Sequence, residues 1–229
     1  MTSQPLPPPA PFAMPGYVVE RVMAKRGRLR VFDRFAAHET ALVVIDMQKF
    51  YVGDVGPALA IIPNINRLAA AFRAKGAPVA WVQMTVGRDG ESLWPLYHDF
   101  FFSKEGAARH RDNLTPGAEG HRLHPDLAAK PGDLVANKDR FSAFLPGHSE
   151  LPDQLAARGI RNVVIAGMLT NFCCETSARD AMMLDYRVVM VSDANAARYA
   201  EDHSAGFTTL FQSFGDVRTT DEVIGELLV

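Results

Sequence analysis

Cysteine is scarce in this sequence: Cys173 and Cys174, adjacent in the chain, are the only two among 229 residues. Neighbouring cysteines enclose almost no loop, so a disulfide scaffold is excluded. What remains is a pair of core thiols or a reactive thiol in a reducing compartment. An excess of one charge is missing too. Twenty-four basic against 26 acidic residues give a formal net charge of -2, and the basic ones are spread along the chain. A nucleic-acid surface needs clustered positive charge, so that partner class loses support. No apolar run exceeds strand length, and no membrane span is expected. The N-terminus lacks a signal peptide's basic start and continuous apolar core, which points to a cytoplasmic protein. Also absent are a G-x-G-x-x-G after a strand, a phosphate loop and a G-x-S-x-G, which counts against a dinucleotide enzyme and a serine hydrolase.

Proline, by contrast, is concentrated at the start, where it fills six of the first sixteen positions. Residues 1–16 read as an extended tail. Residues 17–38 carry Lys25, Arg26, Arg28, Arg30, Phe32 and Phe35 and read as an arm lying on an apolar surface. A tail and arm over 1–38 thus precede one domain over 39–229. There, apolar β-branched runs at 41–45, 78–83, 133–137, 162–166, 187–191 and 216–219 read as strands. Segments 59–75, 150–158, 173–184, 201–214 and the stretch from 221 read as helices. Strand and helix alternate, and the strands look buried on both faces. The expected fold is a three-layer α/β/α Rossmann-like domain with a mostly parallel six-stranded sheet. Residues 84–130 break the pattern and read as a long insertion, either a lid or an interface.

Ligands of such sheets bind beyond the carboxyl ends of the strands. Asp46, Gln83, Lys138 and the stretch after Ala166 all stand there. Gly167-Met-Leu-Thr-Asn-Phe-Cys173 is a strand-to-helix turn that sets Cys173 at a helix start, where free N–H groups favour a thiolate and can hold an oxyanion. Asp46 is the candidate proton acceptor. Lys138 is the candidate cation that keeps Asp46 ionised and supports the thiolate. Singly, each has an ordinary explanation as a core thiol, a turn residue or a solvated lysine. Together, three strand ends deliver nucleophile, base and cation to one crevice.

These residues carry a resemblance. Val44-Ile-Asp46-Met-Gln48, Lys138 followed by Ser142 and Phe144, and Gly167 to Cys173 followed by Ala178-Arg-Asp-Ala181 resemble the isochorismatase-like cysteine hydrolase superfamily, in its order and spacing. The resemblance implies an Asp46–Lys138–Cys173 triad and a non-proline cis peptide between Met168 and Leu169. It also implies an oxyanion site formed by the N–H groups of Leu169 and Cys173. The nucleophile's place falls on Cys173, and Cys174 falls where an apolar residue is usual. Nicotinamidases of the superfamily bind a metal through histidines just after the second strand. Here that place reads Gln83-Met-Thr-Val-Gly-Arg-Asp-Gly90. His121 and His124 lack further ligands at metal spacing, so neither metal nor cofactor is expected. True isochorismatases cleave a vinyl ether and need no thiol.

Cys173 therefore points to hydrolysis of a C–N bond in a small amide or ureide (carbamoyl) substrate, through a thioester-type intermediate. The alternatives are a vinyl-ether hydrolase and a non-catalytic binding protein of the same fold. Gln83, Tyr51 and Trp94 are candidate substrate contacts. Tyr51, Trp94 and the aromatic residues 100–102 fit a subunit interface equally well, and the resemblance suggests a homo-oligomer, dimer or tetramer.

Overall fold

The computed structural model describes residues 12–87 and 91–229. Most of the expected tail, and Arg88 to Gly90 of the segment after the second strand, lie outside the described residues. Six strands form one sheet: β1 (Thr40–Ile45), β2 (Val79–Met84), β3 (Leu134–Lys138), β4 (Asn162–Met168), β5 (Arg187–Ala196) and β6 (Asp216–Arg218). Their order is β3-β2-β1-β4-β5-β6 and every pairing is parallel. Strand direction of growth reverses between β1 and β4. That switch point opens a crevice at the carboxyl edge of the sheet.

Helices cover both faces. On one side α3 (Ala58–Ala74) buries Ile61, Ile65, Leu68, Ala69 and Phe72 against Leu42, Val44, Trp81 and Val164. On the other, α6 (Leu151–Ala156), α7 (Glu175–Met183) and α8 (Ala200–Ser213) pack on Val43, Ile45, Val82, Val163 and Ile165. Alternate residues of β1 thus enter two separate cores, which is why its sequence is an unbroken apolar run.

The arm is ordered. Helix α1 (Gly16–Arg26) buries Val18 and Val22 against Phe211, and Phe35 bridges to Leu228. Asp216 accepts the backbone N–H groups of Val31 and Phe32, which ties the arm to β6.

The expected insertion is not structureless. After the short α2 (Lys49–Asp54) and β2, it holds α4 (Pro95–Phe100) and α5 (Lys104–Leu114). Only Ala107, His110 and Leu114 of α5 are buried, so its sequence reads as polar with a narrow apolar edge. Ser103 caps it by accepting the Gly106 N–H.

At the switch point β4 presses on β1. Gly167 has φ of 115°, and a Cβ there would stand 2.7 Å from the Ile45 nitrogen. No larger residue fits, and the crevice floor depends on that contact. The next residue of β1's chain, Asp46, has φ of 55°, a left-handed conformation uncommon outside glycine.

Candidate active site

The end of β1 delivers Asp46, the end of β3 delivers Lys138, and the turn after β4 delivers Cys173. Lys138 Nζ donates to Asp46 Oδ2 at 2.8 Å, to the Arg140 carbonyl at 3.1 Å and to Cys173 Sγ at 3.5 Å. Its three protons are thereby used, in a place from which solvent is excluded. Asp46 Oδ1 is buried and has no hydrogen-bond partner among the described residues, so one carboxylate oxygen is left for a proton or a substrate group.

Residues Thr170–Cys174 form a single π-helical turn before α7, rather than the first turn of a regular α-helix from Cys173. Such turns recur at functional sites. Thr170 Oγ1 pairs with His203 Nδ1 at 2.8 Å, which anchors the turn on α8. The Met168–Leu169 peptide is cis, as the resemblance implies. Cys174 is fully buried among Ala178, Ile165 and Phe207, whereas Cys173 keeps an edge toward the crevice.

The electrostatics differ from the helix-start expectation in one respect. The Cys173 thiol is pushed up strongly, first by desolvation and then by the negative charge of Asp46, with Lys138 only partly opposing. That direction favours the protonated thiol at rest. Desolvation pulls the Lys138 ammonium down, but the adjacent Asp46 carboxylate, through its charge and its hydrogen bond, opposes that and the group is raised overall. Asp46 and Lys138 thus stand as an ion pair beside a neutral sulfur.

Above this triad lies a cavity of about 250 Å³. Its walls are mostly aromatic: Phe50, Tyr51, Tyr97, Phe102, Phe141 and Phe172. Tyr51 lines it, as expected. Trp94 stands behind the wall, stacked on Tyr97 at 4.6 Å and edge-on to Phe141 at 4.9 Å. Gln83 does not line the cavity either. Its side chain points to the insertion and donates to the His121 carbonyl at 2.6 Å, while the next residue, Met84, takes the cavity position. A one-residue step along a strand exchanges its faces, and the sequence placed the polar residue on the wrong one. His121 is held by Thr85 Oγ1 at 2.8 Å, and His124 accepts the Asp126 N–H.

At the rim, Arg109 binds both oxygens of Asp54, at 2.6 and 2.7 Å, and Arg198 donates to the Asp54 carbonyl. Arg109, Arg198 and the histidine pair His98–His110 were not among the sequence candidates. A spacing of buried positions 107, 110 and 114 would have marked α5 as a helix facing the site.

The model of the isochorismatase domain matches residues 40–222. This chain belongs to that family. It is 32% identical over 207 residues to the ureidoacrylate amidohydrolase RutB of Pseudomonas syringae pv. syringae, covering 82% of this chain and 84% of the relative. It is 31% identical to the protein of the same name from Variovorax paradoxus, over 82% and 81% of the two chains. Among solved structures, a cysteine hydrolase from Pseudomonas syringae pv. phaseolicola superposes with a TM-score of 0.73 at 28% identity, covering 86% of this chain and 97% of that one. The N-carbamoylsarcosine amidase of Thermoplasma acidophilum gives 0.66 at 26% identity, over 82% and 99%.

Proposed function

We propose that this family member hydrolyses a C–N bond of a small ureido acid or related amide, with Cys173 as nucleophile, Asp46 as proton carrier and Lys138 as fixed cation. The observation that carries this is the buried Lys138 ammonium, which touches Asp46 Oδ2 and Cys173 Sγ together at the cavity floor. The amidohydrolase class is that of the curated relatives, which share about a third of their residues with most of this chain.

Asp46 takes the thiol proton as Cys173 Sγ attacks the carbonyl carbon, and charge passes to the carbonyl oxygen. The N–H groups of Leu169 and Cys173 receive that oxyanion in this reading. The C–N bond breaks, and the leaving nitrogen takes the proton from Asp46. Water then attacks the thioester or thiocarbamate, giving its proton to Asp46, which returns it to the departing sulfur. Every proton is accounted for on Asp46, so the chain's own residues complete the cycle.

The rim adds a preference. Two guanidinium groups face one carboxylate, Asp54, which leaves net positive charge at the mouth. That suits a substrate with an acid group distal to the scissile bond, as a ureido acid has. Leu96, Phe100 (77%) and Phe101 (71%), all on or next to α4, are large apolar side chains left exposed, which supports a homo-oligomer. Among the described residues, no helix is long and apolar enough to cross a membrane. The unpaired thiols Cys173 and Cys174 support a reducing, cytoplasmic setting.

The test is ammonia and amine release over a set of carbamoyl amino acids, neutral ureides, simple amides and isochorismate. Ureido acids should turn over fastest, and Arg198→Met should raise KM for them while leaving neutral ureides unaffected. Turnover of isochorismate, with no activity on any C–N substrate, would overturn the reading.

A further inference from the structure

The insertion carries a group of side chains that the chemistry above does not use. Ser92 Oγ lies 2.5 Å from His98 Nδ1, His98 Nε2 lies 2.9 Å from His110 Nδ1, and His110 Nε2 lies 2.9 Å from the Tyr51 hydroxyl. The four residues form one line from the outer loop, through α4 and α5, to the cavity wall. Both imidazoles are buried, with exposures of 3% and 5%. Burial lowers both, and the proximity of His98 lowers His110 further, to about 4. Both rings are therefore neutral near pH 7. A neutral imidazole has one donor and one acceptor nitrogen, so such a line has only two states. Either every proton points toward the cavity, or every proton points away from it.

The surroundings at the two ends favour the same state. At the outer end, Ser92 Oγ already accepts the Trp94 N–H at 3.2 Å. That leaves its proton available to His98 Nδ1, 2.5 Å away. With that proton given to Nδ1, His98 holds its own proton on Nε2 and donates it to His110 Nδ1. His110 then holds its proton on Nε2 and donates to Tyr51. At the inner end, the Tyr51 hydroxyl feels the negative charge of Asp46. Pointing its O–H into the cavity places a positive hydrogen toward that charge. The reverse state would aim lone pairs at a carboxylate.

We propose that Ser92, His98 and His110 are positioning residues that fix Tyr51 as a hydrogen-bond donor into the cavity, so that the substrate presents an acceptor oxygen there and not an N–H. This deepens the amidohydrolase reading by assigning the polarity of one substrate contact. The cavity offers mostly aromatic and apolar walls, so an oriented hydroxyl adds a polarity constraint to that of the rim arginines. An amide or carboxylate oxygen satisfies Tyr51. An amide N–H at the same place would face a second donor, which costs binding.

The direct test is ring 15N NMR of the histidine-labelled full chain. Both His98 and His110 should be in the Nε2–H tautomer and stay neutral from pH 8 to about pH 6. Nδ1–H tautomers, or a charged ring at neutral pH, would overturn the proposal. This measurement needs no substrate, so it separates failure of the relay from failure of the amidohydrolase reading. The second test is a double-mutant cycle on the best ureide substrate. Tyr51→Phe should lower kcat/KM about three- to tenfold, mainly through KM, as expected for one neutral hydrogen bond. Ser92→Ala should lower it two- to fivefold in the wild type and have no effect in the Tyr51→Phe background. Additive losses would assign Ser92 a merely structural role and sink the idea.

Discussion

Lys138 Nζ stands 2.8 Å from Asp46 Oδ2, with side-chain exposures of 0% and 2%. A buried ion pair of this kind is neutral as a unit, so it provides little net charge to ionise a third group beside it. Cys173 accordingly rests as a thiol, and its proton leaves only when an electrophile arrives. Breaking such a pair leaves an uncompensated buried charge, which is the more costly state.

Cys173 and Cys174 should separate cleanly. Cys173→Ser and Cys173→Ala are expected to fold and to lose nearly all turnover, because only Cys173 faces the cavity. Cys174→Ala should keep most activity and lose a little stability, since it empties part of a packed site. Ammonia release and thermal unfolding of the three variants check this. An inactive Cys174→Ala beside an active Cys173→Ala would reverse the assignment.

Asp46→Asn removes the charge that helps hold the thiol up. The Lys138 ammonium then needs a counterion, and the sulfur becomes one. Alkylation near pH 8 should therefore be faster in Asp46→Asn than in the parent, tenfold or more, with Cys174→Ala in both. Hydrolysis should fall by about a hundred- to ten-thousand-fold, because the proton carrier is gone. Alkylation that slows in Asp46→Asn would mean that Asp46 does not raise the thiol.

Lys138→Met should move the sulfur the other way. Its ammonium lowers the thiol, so alkylation should slow further and hydrolysis should drop as steeply as in Asp46→Asn. Stability should fall by about 3–5 kcal/mol, the usual cost of orphaning one partner of a buried pair. Denaturant unfolding with and without the substitution measures it. An unchanged alkylation profile would make Lys138 a bystander.

Acid should weaken the fold through its buried histidines. Burial lowers His110 from an ordinary value near 6.5 to about 4, and it lowers His98, His121 and His203 in the same direction. The unfolded chain binds these protons at higher pH than the folded one. Stability from the neutral rings is complete above about pH 6.5 and is lost as pH falls toward 4. His110→Gln should therefore show a shallower loss of Tm between pH 7 and pH 4.5 than the parent. Parallel curves would show that His110 is not held neutral.

The strands, their parallel arrangement and the meeting of Asp46, Lys138 and Cys173 at one crevice were legible because each rests on a local signal. The strand patterns ended at Ile45 and Asn137, with Asp46 and Lys138 placed just beyond them. The insertion was not legible for the opposite reason. Helix α4 is a six-residue stretch, PLYHDF, too short to show a period, and α5 hides one apolar edge in a charged sequence. His98 and His110 meet across two helices, and no spacing rule places one imidazole on another. Trp94 was a reasonable aromatic candidate, yet Tyr97 and Phe141 stand in front of it. The state of the Cys173 sulfur was read from the helix start, whereas desolvation by the surrounding walls decides it.

A sulfur stored with its proton on has a consequence for the lifetime of the molecule. Peroxides and disulfides react with thiolates far faster than with thiols, and the oxidation that follows becomes irreversible after its first step. Many low-pKa nucleophiles are exposed to that damage between turnovers. Here burial of Cys173 and the nearby Asp46 carboxylate favour the protonated sulfur between turnovers. The protein should age slowly under mild oxidant and become vulnerable only while it is at work, so that substrate, rather than the redox state of its surroundings, decides when the sulfur is at risk.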